Sequence, residues 1–300
     1  MSDFAIEPLV PGAEDRVLAL LDEVLGAGHT ADWFAWKHRE NPAGASLAWV
    51  ARDEAGLVGV RFLMPWRLTH RGRTLLALRP LDTATAKRAR RRGAFKSLTE
   101  AAVTEVAGDG RWSCLFNTPN ERSRPGYATM GWTILPPIRR GWRPVLPGPR
   151  AGLAGEGAIE ALAASPPPAE CLATRRDVEY LSWRYAHRSG HDYGIVRLEQ
   201  CDQPNGIAFR CLERRGLRLL LVCDLAGGPA QRALLVRNVA RRERAVASVF
   251  ATGPGARPAL RPWLQRGGSH LAVRPLKRAG EPWERVEGWA LSSGDLENVL

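Results

Sequence analysis

The sequence reads as an α/β protein with two mixed-sheet lobes, each flanked by helices. Three observations predict this. At 300 residues the chain exceeds the length at which a single hydrophobic core usually stops growing, so two domains are expected. Apolar runs of strand character alternate with segments of helical periodicity in both halves. The order of elements on one side of a Pro/Gly/Ala-rich stretch returns on the other, which points to a structural repeat with little residue-level match. The expected organisation is a first domain over residues 1–145, a linker over 146–170 containing a triple proline at 166–168, and a second domain over 171–300.

In chain order, Ala13 to Leu25 carries Val17, Leu20, Leu21 and Val24 on one helical face. A short helix follows from Thr30, an N-cap residue type, through Trp33, Phe34 and Trp36, and Asn41-Pro42 ends it. Strands are expected at Leu47–Arg52 and Leu57–Thr69 around the turn Asp53-Glu54-Ala55-Gly56, and at Thr74–Leu81 after His70-Arg71-Gly72-Arg73. A helix over 94–107, a strand Trp112–Asn117, a helix Ser123–Met130 closed by Gly131 and a strand Trp132–Leu135 complete the first half. Within the linker, a short helix is expected at 156–164. The second half is expected to hold a helix with Val178, Leu181, Trp183 and Tyr185, then strands at 193–199, 206–213 and 217–225. A helix at 229–241, a strand at 246–251, a helix near 258–266 and strands at 269–274 and 285–291 close the chain.

Composition narrows the function classes. Apolar residues at 45% and charged residues at 25% are those of a globular protein. The net charge of +12 is spread over both halves, and only four of the 43 cations are lysines. Such a bias reflects an arginine-rich coding background as readily as a polyanion partner, so nucleic-acid binding is not expected. No uninterrupted apolar run reaches membrane-spanning length, and the amino terminus has no basic-then-apolar leader. Five cysteines without C-x-x-C spacing read as free, mostly buried thiols of a cytoplasmic protein. No His/Cys/Asp cluster has metal-ligand spacing, so no metal is expected.

Residues 82 to 98 organise the rest. An apolar strand leads into Asp82, a basic turn runs from Lys87 to Arg92, Gly93 closes it, and a helix follows with Phe95, Leu98, Ala102 and Val106 at spacings of three or four. The first turn of a helix carries free N–H groups and partial positive charge, and glycine lets a phosphate approach the backbone. Arginines add bidentate donors for phosphate oxygens. A solvated basic turn is the plain alternative.

Arg90-Arg91-Arg92-Gly93-Ala94-Phe95 resembles the Gln/Arg-x-x-Gly-x-Gly/Ala signature of the GNAT superfamily of N-acetyltransferases, with Phe95 at the final small position. Asn120, Ser123, Tyr127, Gly131 and Trp132 fit its second signature, Asn-x-x-Ala/Ser-x-x-x-Tyr-x-x-x-Gly-Phe, with Trp for Phe. The resemblance covers residues 4–142. The second half, from Glu179 to Tyr185 onward, looks like the degenerate GNAT-like region of two-domain members. It implies a GNAT-like acyltransferase fold in two tandem lobes, with one acetyl-coenzyme A site per chain because the second half has no turn like 87–93.

The reaction so implied is direct acetyl transfer from acetyl-CoA to a primary amine of a small molecule, amino sugar or peptide. On the family pattern, N–H groups at Arg91–Ala94 would hold the pyrophosphate with Arg90, Arg91 and Arg92 outside it, and Leu81 to Thr83 would pair with the pantetheine arm. Asn120 and Ser123 would border the same arm. Tyr127 matches the usual general acid and reads equally as a core tyrosine beside Gly131. Asp82 would take the amine proton through water or, more simply, cap the following turn. Asn117 could orient substrate or satisfy local backbone, and His38 could act as base. Trp33, Trp36, Trp132 and Trp142 read as core, with an aromatic acceptor wall as the alternative. Two other readings remain open: an acyl or aminoacyl transferase with a larger donor, and a basic polyanion-binding module.

Overall fold

The computed structural model describes residues 4–186, 192–257, 259–277 and 280–296. The first half comprises β1 (Ala5–Pro8), α1 (Glu14–Leu25), α2 (Ala31–Phe34), β2 (Leu47–Asp53), β3 (Gly56–His70), β4 (Arg73–Thr85), α3 (Ala94–Asp109), β5 (Cys114–Asn117), α4 (Arg124–Thr129), β6 (Thr133–Ile134) and β7 (Ile138–Pro144). The second comprises β8 (Leu153–Ala154), α5 (Ala158–Ala163), β9 (Ala173–Thr174), α6 (Val178–Leu181), β10 (Gly194–Leu198), β11 (Gly206–Arg214), β12 (Leu217–Ala226), α7 (Pro229–Arg242), β13 (Ala247–Thr252), β14 (Leu264–Ser269), β15 (Ala272–Pro275) and α8 (Ser293–Leu296).

Local chemistry accounts for the first lobe's elements. In α1, Val17, Leu20 and Leu21 form the buried stripe, and the helix packs on β3 and β4. The Thr30 hydroxyl accepts from the Trp33 N–H and starts α2, which widens into a π-helical turn over Ala35–Arg39. The β3–β4 hairpin turns at Arg71 and Gly72, both at positive φ, the geometry of a two-residue primed turn. Helix α3 begins at Gly93 (φ +85°) and buries Ala94, Leu98, Ala102, Val103 and Val106.

One sheet runs β1-β2-β3-β4-β5-β15-β6, and the other β14-β7-β13-β12-β11-β10-β8. Each lobe therefore takes a strand from the far end of the other's sequence. Strand β15 inserts between β5 and β6, while β7 pairs with β13 and β14. The local cause lies between β6 and β7. Pro136 and Pro137 fix φ and remove two N–H donors, so the chain continues extended across the boundary instead of folding back as a hairpin. The crossing point is pinned where Leu135 N donates to Leu271 O (2.8 Å) and His270 Nδ1 lies 3.0 Å from Leu135 O.

The repeat expected from the element order is visible at residue level. Thr30, Trp33, Trp36 and His38 have counterparts Asp177, Tyr180, Trp183 and Tyr185. Asp177 caps α6 as Thr30 caps α2, and a second π-helical turn, Ser182–Ala186, follows α6. The Trp36 and Trp183 rings stack at 5.3 Å, and each indole N–H donates to the other's backbone carbonyl across a separation of 147 residues (2.9 and 2.8 Å).

Some expectations do not hold. The helix expected near 258–266 is instead β14 from Leu264 onward, an exposed edge strand whose backbone pairs with β7. Trp263 and Leu264 are 65% and 46% exposed, so no helical face is buried there; residue 258 lies outside the described residues. The strand expected at 285–291 is a short 3₁₀ turn, Val286–Gly288, followed by single bridges from Trp289 to Leu172 and Leu291 to Ala256. Val286 and Gly288 to Leu291 are buried between other elements without ladder pairing, while Arg285 and Glu287 are exposed. The stretch read as linker contributes α5, as expected, and also β8, which extends the second sheet through β10. Of the five cysteines, Cys114 and Cys223 are buried and the other three are partly exposed.

Candidate active site

Strands β4 and β5 are parallel neighbours only at Ala77–Leu78 against Cys114–Leu115. Beyond that point they part, and a cleft of about 510 Å³ opens between them. Leu81, Asp82, Thr83, Asn117, Asn120, Ser123 and Tyr127 line it, so these sequence-predicted residues converge on one space. Arg90, Arg91, Arg92, Gly93 and Ala94 do not line it. They lie beyond its Thr85 and Phe95 end, with all but Ala94 exposed. There α3 starts with no side-chain cap, and a Cβ at Gly93 would meet nothing within 4 Å, leaving an open cradle of N–H groups. Arg88 is fixed on Asp53 at 3.0 Å, and Arg92 reaches the same carboxylate at 4.0 Å while covering the Phe4 ring at 4.9 Å.

The cleft passes through the sheet. On the α3 face, Tyr127 is buried with its hydroxyl accepting from Asn117 Nδ2 (2.7 Å) and from Arg61 Nη2 (2.8 Å). Two donors fill the oxygen's acceptor capacity, so the phenolic proton remains for donation. Arg61 is fully buried, donates to Thr83 Oγ1 (3.0 Å), and lies over the rings of Phe95 (5.2 Å) and Tyr127 (5.4 Å). Phe95, the residue that departs from the family signature, is thus the platform for Arg61. Asn120 and Ser123 act locally: Asn120 Oδ1 accepts from the N–H groups of Arg122 (3.0 Å) and Ser123 (2.9 Å), while Ser123 Oγ lies 3.2 Å from it.

On the other face, a β-bulge breaks the β3–β4 ladder between Val60 and Phe62, and Asp82 sits in it with φ +43°. Its Oδ2 is 2.6 Å from Lys37 Nζ and 3.2 Å from His38 Nε2. Both partners come from the π-helical turn after α2, and both are buried. Burial raises the Asp82 carboxyl, but the Lys37 charge and the contacts from His38 and Lys37 outweigh it, leaving Asp82 below its ordinary value. Burial pushes the Lys37 ammonium down against the pull of Asp82. Burial likewise lowers His38, opposed by Asp82 and aided by the Lys37 charge. His38 stacks on Phe62 at 4.0 Å, has Nδ1 3.0 Å from Ser46 Oγ, and does not line the cleft; it stands behind Asp82.

Sequence reading missed Lys37, Arg61 and Arg79. All three are buried cations; Arg61 and Arg79 interrupt the apolar strands β3 and β4, and that interruption is the signal they leave. Trp33, Trp36, Trp132 and Trp142 do not line the cleft. Trp36 and Trp132 are buried core, and Trp33 lies under the Lys37 ammonium at 4.7 Å. Among the described residues no group of three or more His, Cys, Asp or Glu could hold a metal, and no helix is long and apolar enough to cross a membrane.

The second lobe is arranged differently. Strands β12 and β13 also part after a short parallel ladder, at Leu221 and Val249; the space beside Asp224 is about 10 Å³, and a separate groove of about 880 Å³ is lined by Leu221, Val249, Trp142 and Arg140. Helix α8 packs on β12, and Ser293 Oγ accepts from Ala251 N (2.7 Å). Where the first lobe places Asp82 against His38, the second has Asp224 accepting from Tyr185 (2.5 Å) and paired with Arg176 (2.8 Å) in a closed, buried cluster.

Residues 5–135 match the acetyltransferase (GNAT) domain family. No curated protein matches the sequence significantly. Among solved structures, a protein of unknown function from Enterococcus faecalis described as a probable N-acyltransferase superposes with TM-score 0.68 at 9% identity, over 91% of this chain and 72% of that one. A GCN5-related N-acetyltransferase from Anabaena variabilis gives TM-score 0.68 at 11% identity, over 91% and 73%. Eis1 from Mycobacterium abscessus gives 0.57 at 16% identity, over 91% and 73%. The through-sheet cleft, the uncapped α3 and the domain match agree: residues 5–135 match the GNAT acetyltransferase domain family, and the fold of the similar structures extends over both lobes.

Proposed function

We propose that the protein transfers an acetyl group from acetyl-CoA to a primary amine by direct attack. The observation that carries this reading is the cleft itself: from its Thr85 and Phe95 end, beyond which the Gly93 cradle lies, it runs to the Tyr127 hydroxyl on one face and to Asp82 on the other. Acetyl-CoA supplies the thioester. N–H groups at the start of α3 hold its pyrophosphate, the bulged edge at Leu81–Thr83 flanks its arm, and Tyr127 protonates the departing sulfur.

Asp82 plays a narrower part than a proton acceptor. A carboxylate held below its ordinary value is a weak base, so Asp82 attracts and orients the incoming amine while its surplus proton leaves to water. The product side balances as an N-acetyl amine and coenzyme A thiol.

The test is calorimetric titration with acetyl-CoA, followed by a screen of amines, amino sugars and peptides for coenzyme A release. Gly93→Glu adds charge and bulk at an open positive-φ position, so the fold should survive while acetyl-CoA affinity is lost. Equal affinity in wild type and Gly93→Glu would refute the assignment of the cradle. Salt-steep DNA binding without acetyl-CoA affinity would replace the enzyme reading with a polyanion module.

A further inference from the structure

Arg79 is buried (2% exposed) yet lines the cleft. Its guanidinium lies over Trp66 (5.1 Å) and Phe116 (5.6 Å), and Nη2 is 3.4 Å from Thr118 Oγ1. Nη1 is buried with no hydrogen-bond partner, and no carboxylate of the described residues lies within ion-pair distance of the group. Asp295 is the carboxylate whose field reaches it, but Asp295 is committed to Arg176 (2.8 Å), Thr174 (2.7 Å) and Ser292 N (2.8 Å). Burial brings Arg79 down to about 10, so it remains a cation at neutral pH. A desolvated cation with an unused donor is costly to keep, and a cleft wall is where a ligand would complete it.

Resting on the acetyltransferase reading, we propose that the acceptor is an amino carboxylate whose carboxylate docks on Arg79 while its amine lies at Asp82. Arg79 packs on Trp66, which contacts Tyr180 of the second lobe, so it shares the sheet face of Asp82 and Lys37 and lies opposite Tyr127 and Arg61. Residues three apart on a strand are separated by roughly 10 Å, a span that one small molecule bridges with an ionic contact at each end. Charge selects the class. Lys37 and Asp82 neutralise each other, leaving Arg79 as the uncompensated charge on this face of the cleft, which matches a monoanion. The planar fork of guanidinium suits a carboxylate.

The experiment compares matched acceptors, each amino acid from glycine to 4-aminobutyrate and a set of larger α-amino acids against its own methylamide, in wild type, Arg79→Met and Arg79→Lys. Wild type should favour the free acid by roughly ten- to a hundredfold in kcat/KM, the worth of a hydrogen bond to a charged group. Arg79→Met should bring that ratio to about one, Arg79→Lys should restore part of it, and both should bind acetyl-CoA as wild type does. An acid-to-amide ratio near one in wild type, or a preference that survives Arg79→Met, overturns the proposal. A turnover-independent arm titrates the N-acetyl amino acids into protein saturated with coenzyme A. Saturable binding lost in Arg79→Met supports the site, and no binding overturns it. Loss of acetyl-CoA binding with Arg79-dependent carboxylate binding retained would refute the donor assignment alone.

Discussion

Replacing Tyr127 with Phe removes one oxygen that two buried groups use. Arg61 Nη2 and Asn117 Nδ2 both donate to it, and Arg61 is fully buried. A hydrogen bond from a charged donor is worth about 1.5–3 kcal/mol and a neutral one about 0.5–1.5 kcal/mol. The variant should therefore lose about 2–4.5 kcal/mol of stability, enough to register clearly in urea or thermal unfolding and small enough to leave a total of about 5–15 kcal/mol positive in most of its range. Ring packing against Phe95 and Trp132 is retained. With a true acceptor, kcat should fall by about 10²–10⁴-fold, the usual contribution of a positioned acid, while acetyl-CoA affinity stays level. Wild-type turnover in a variant that shows the expected stability loss would mean that Tyr127 only anchors Arg61. An unchanged stability would refute the hydrogen-bond reading itself.

Lys37→Met leaves Asp82 buried without its charge partner and should cost about 3–5 kcal/mol, while Lys37→Met with Asp82→Asn should recover much of it; a double variant as unstable as the single one would contradict the pairing. His38 is buried with its titration pushed below 6.5, so the unfolded chain binds its proton first and stability should fall as pH drops through 6.5 toward the lower folded-state value. His38→Gln should flatten that part of a stability-versus-pH curve measured by urea unfolding. Trp36→Ala and Trp183→Ala should each cost about 3–5 kcal/mol, and because the two rings stack and exchange hydrogen bonds, the double variant should depart from additivity by about 0.5–3 kcal/mol.

Much of the site was written locally. A strand carrying Asp82 near its end, a glycine at positive φ and the stripe Leu98–Ala102–Val106 are short-range features, and they place an uncapped helix start where expected. Asn120, Ser123 and Tyr127 arrive on the cleft because one short helix and its preceding turn carry them. Lys37 was harder to see, because its role depends on a bulge that turns Asp82 toward it from a strand distant in sequence. Arg61 and Arg79 stood in plain view as charges inside apolar strands, but only the parting of β4 and β5 distinguishes a cleft wall from core. The edge strand β14 was misread as helix because backbone pairing to β7 can be made by any sequence, and its exposed Trp263 and Leu264 mimic an apolar face.

The exchange of β7 and β15 between lobes also governs how the chain can be made and divided. The first sheet needs Ala272–Pro275 to join β5 to β6, so it stays open until those residues have left the ribosome. Pairing across such sequence distances raises contact order, and folding should be slow and late instead of proceeding lobe by lobe during synthesis. Gene fission between the halves would separate each sheet from a strand it requires. The second lobe is thereby retained for a mechanical reason, since the first sheet cannot be completed without it.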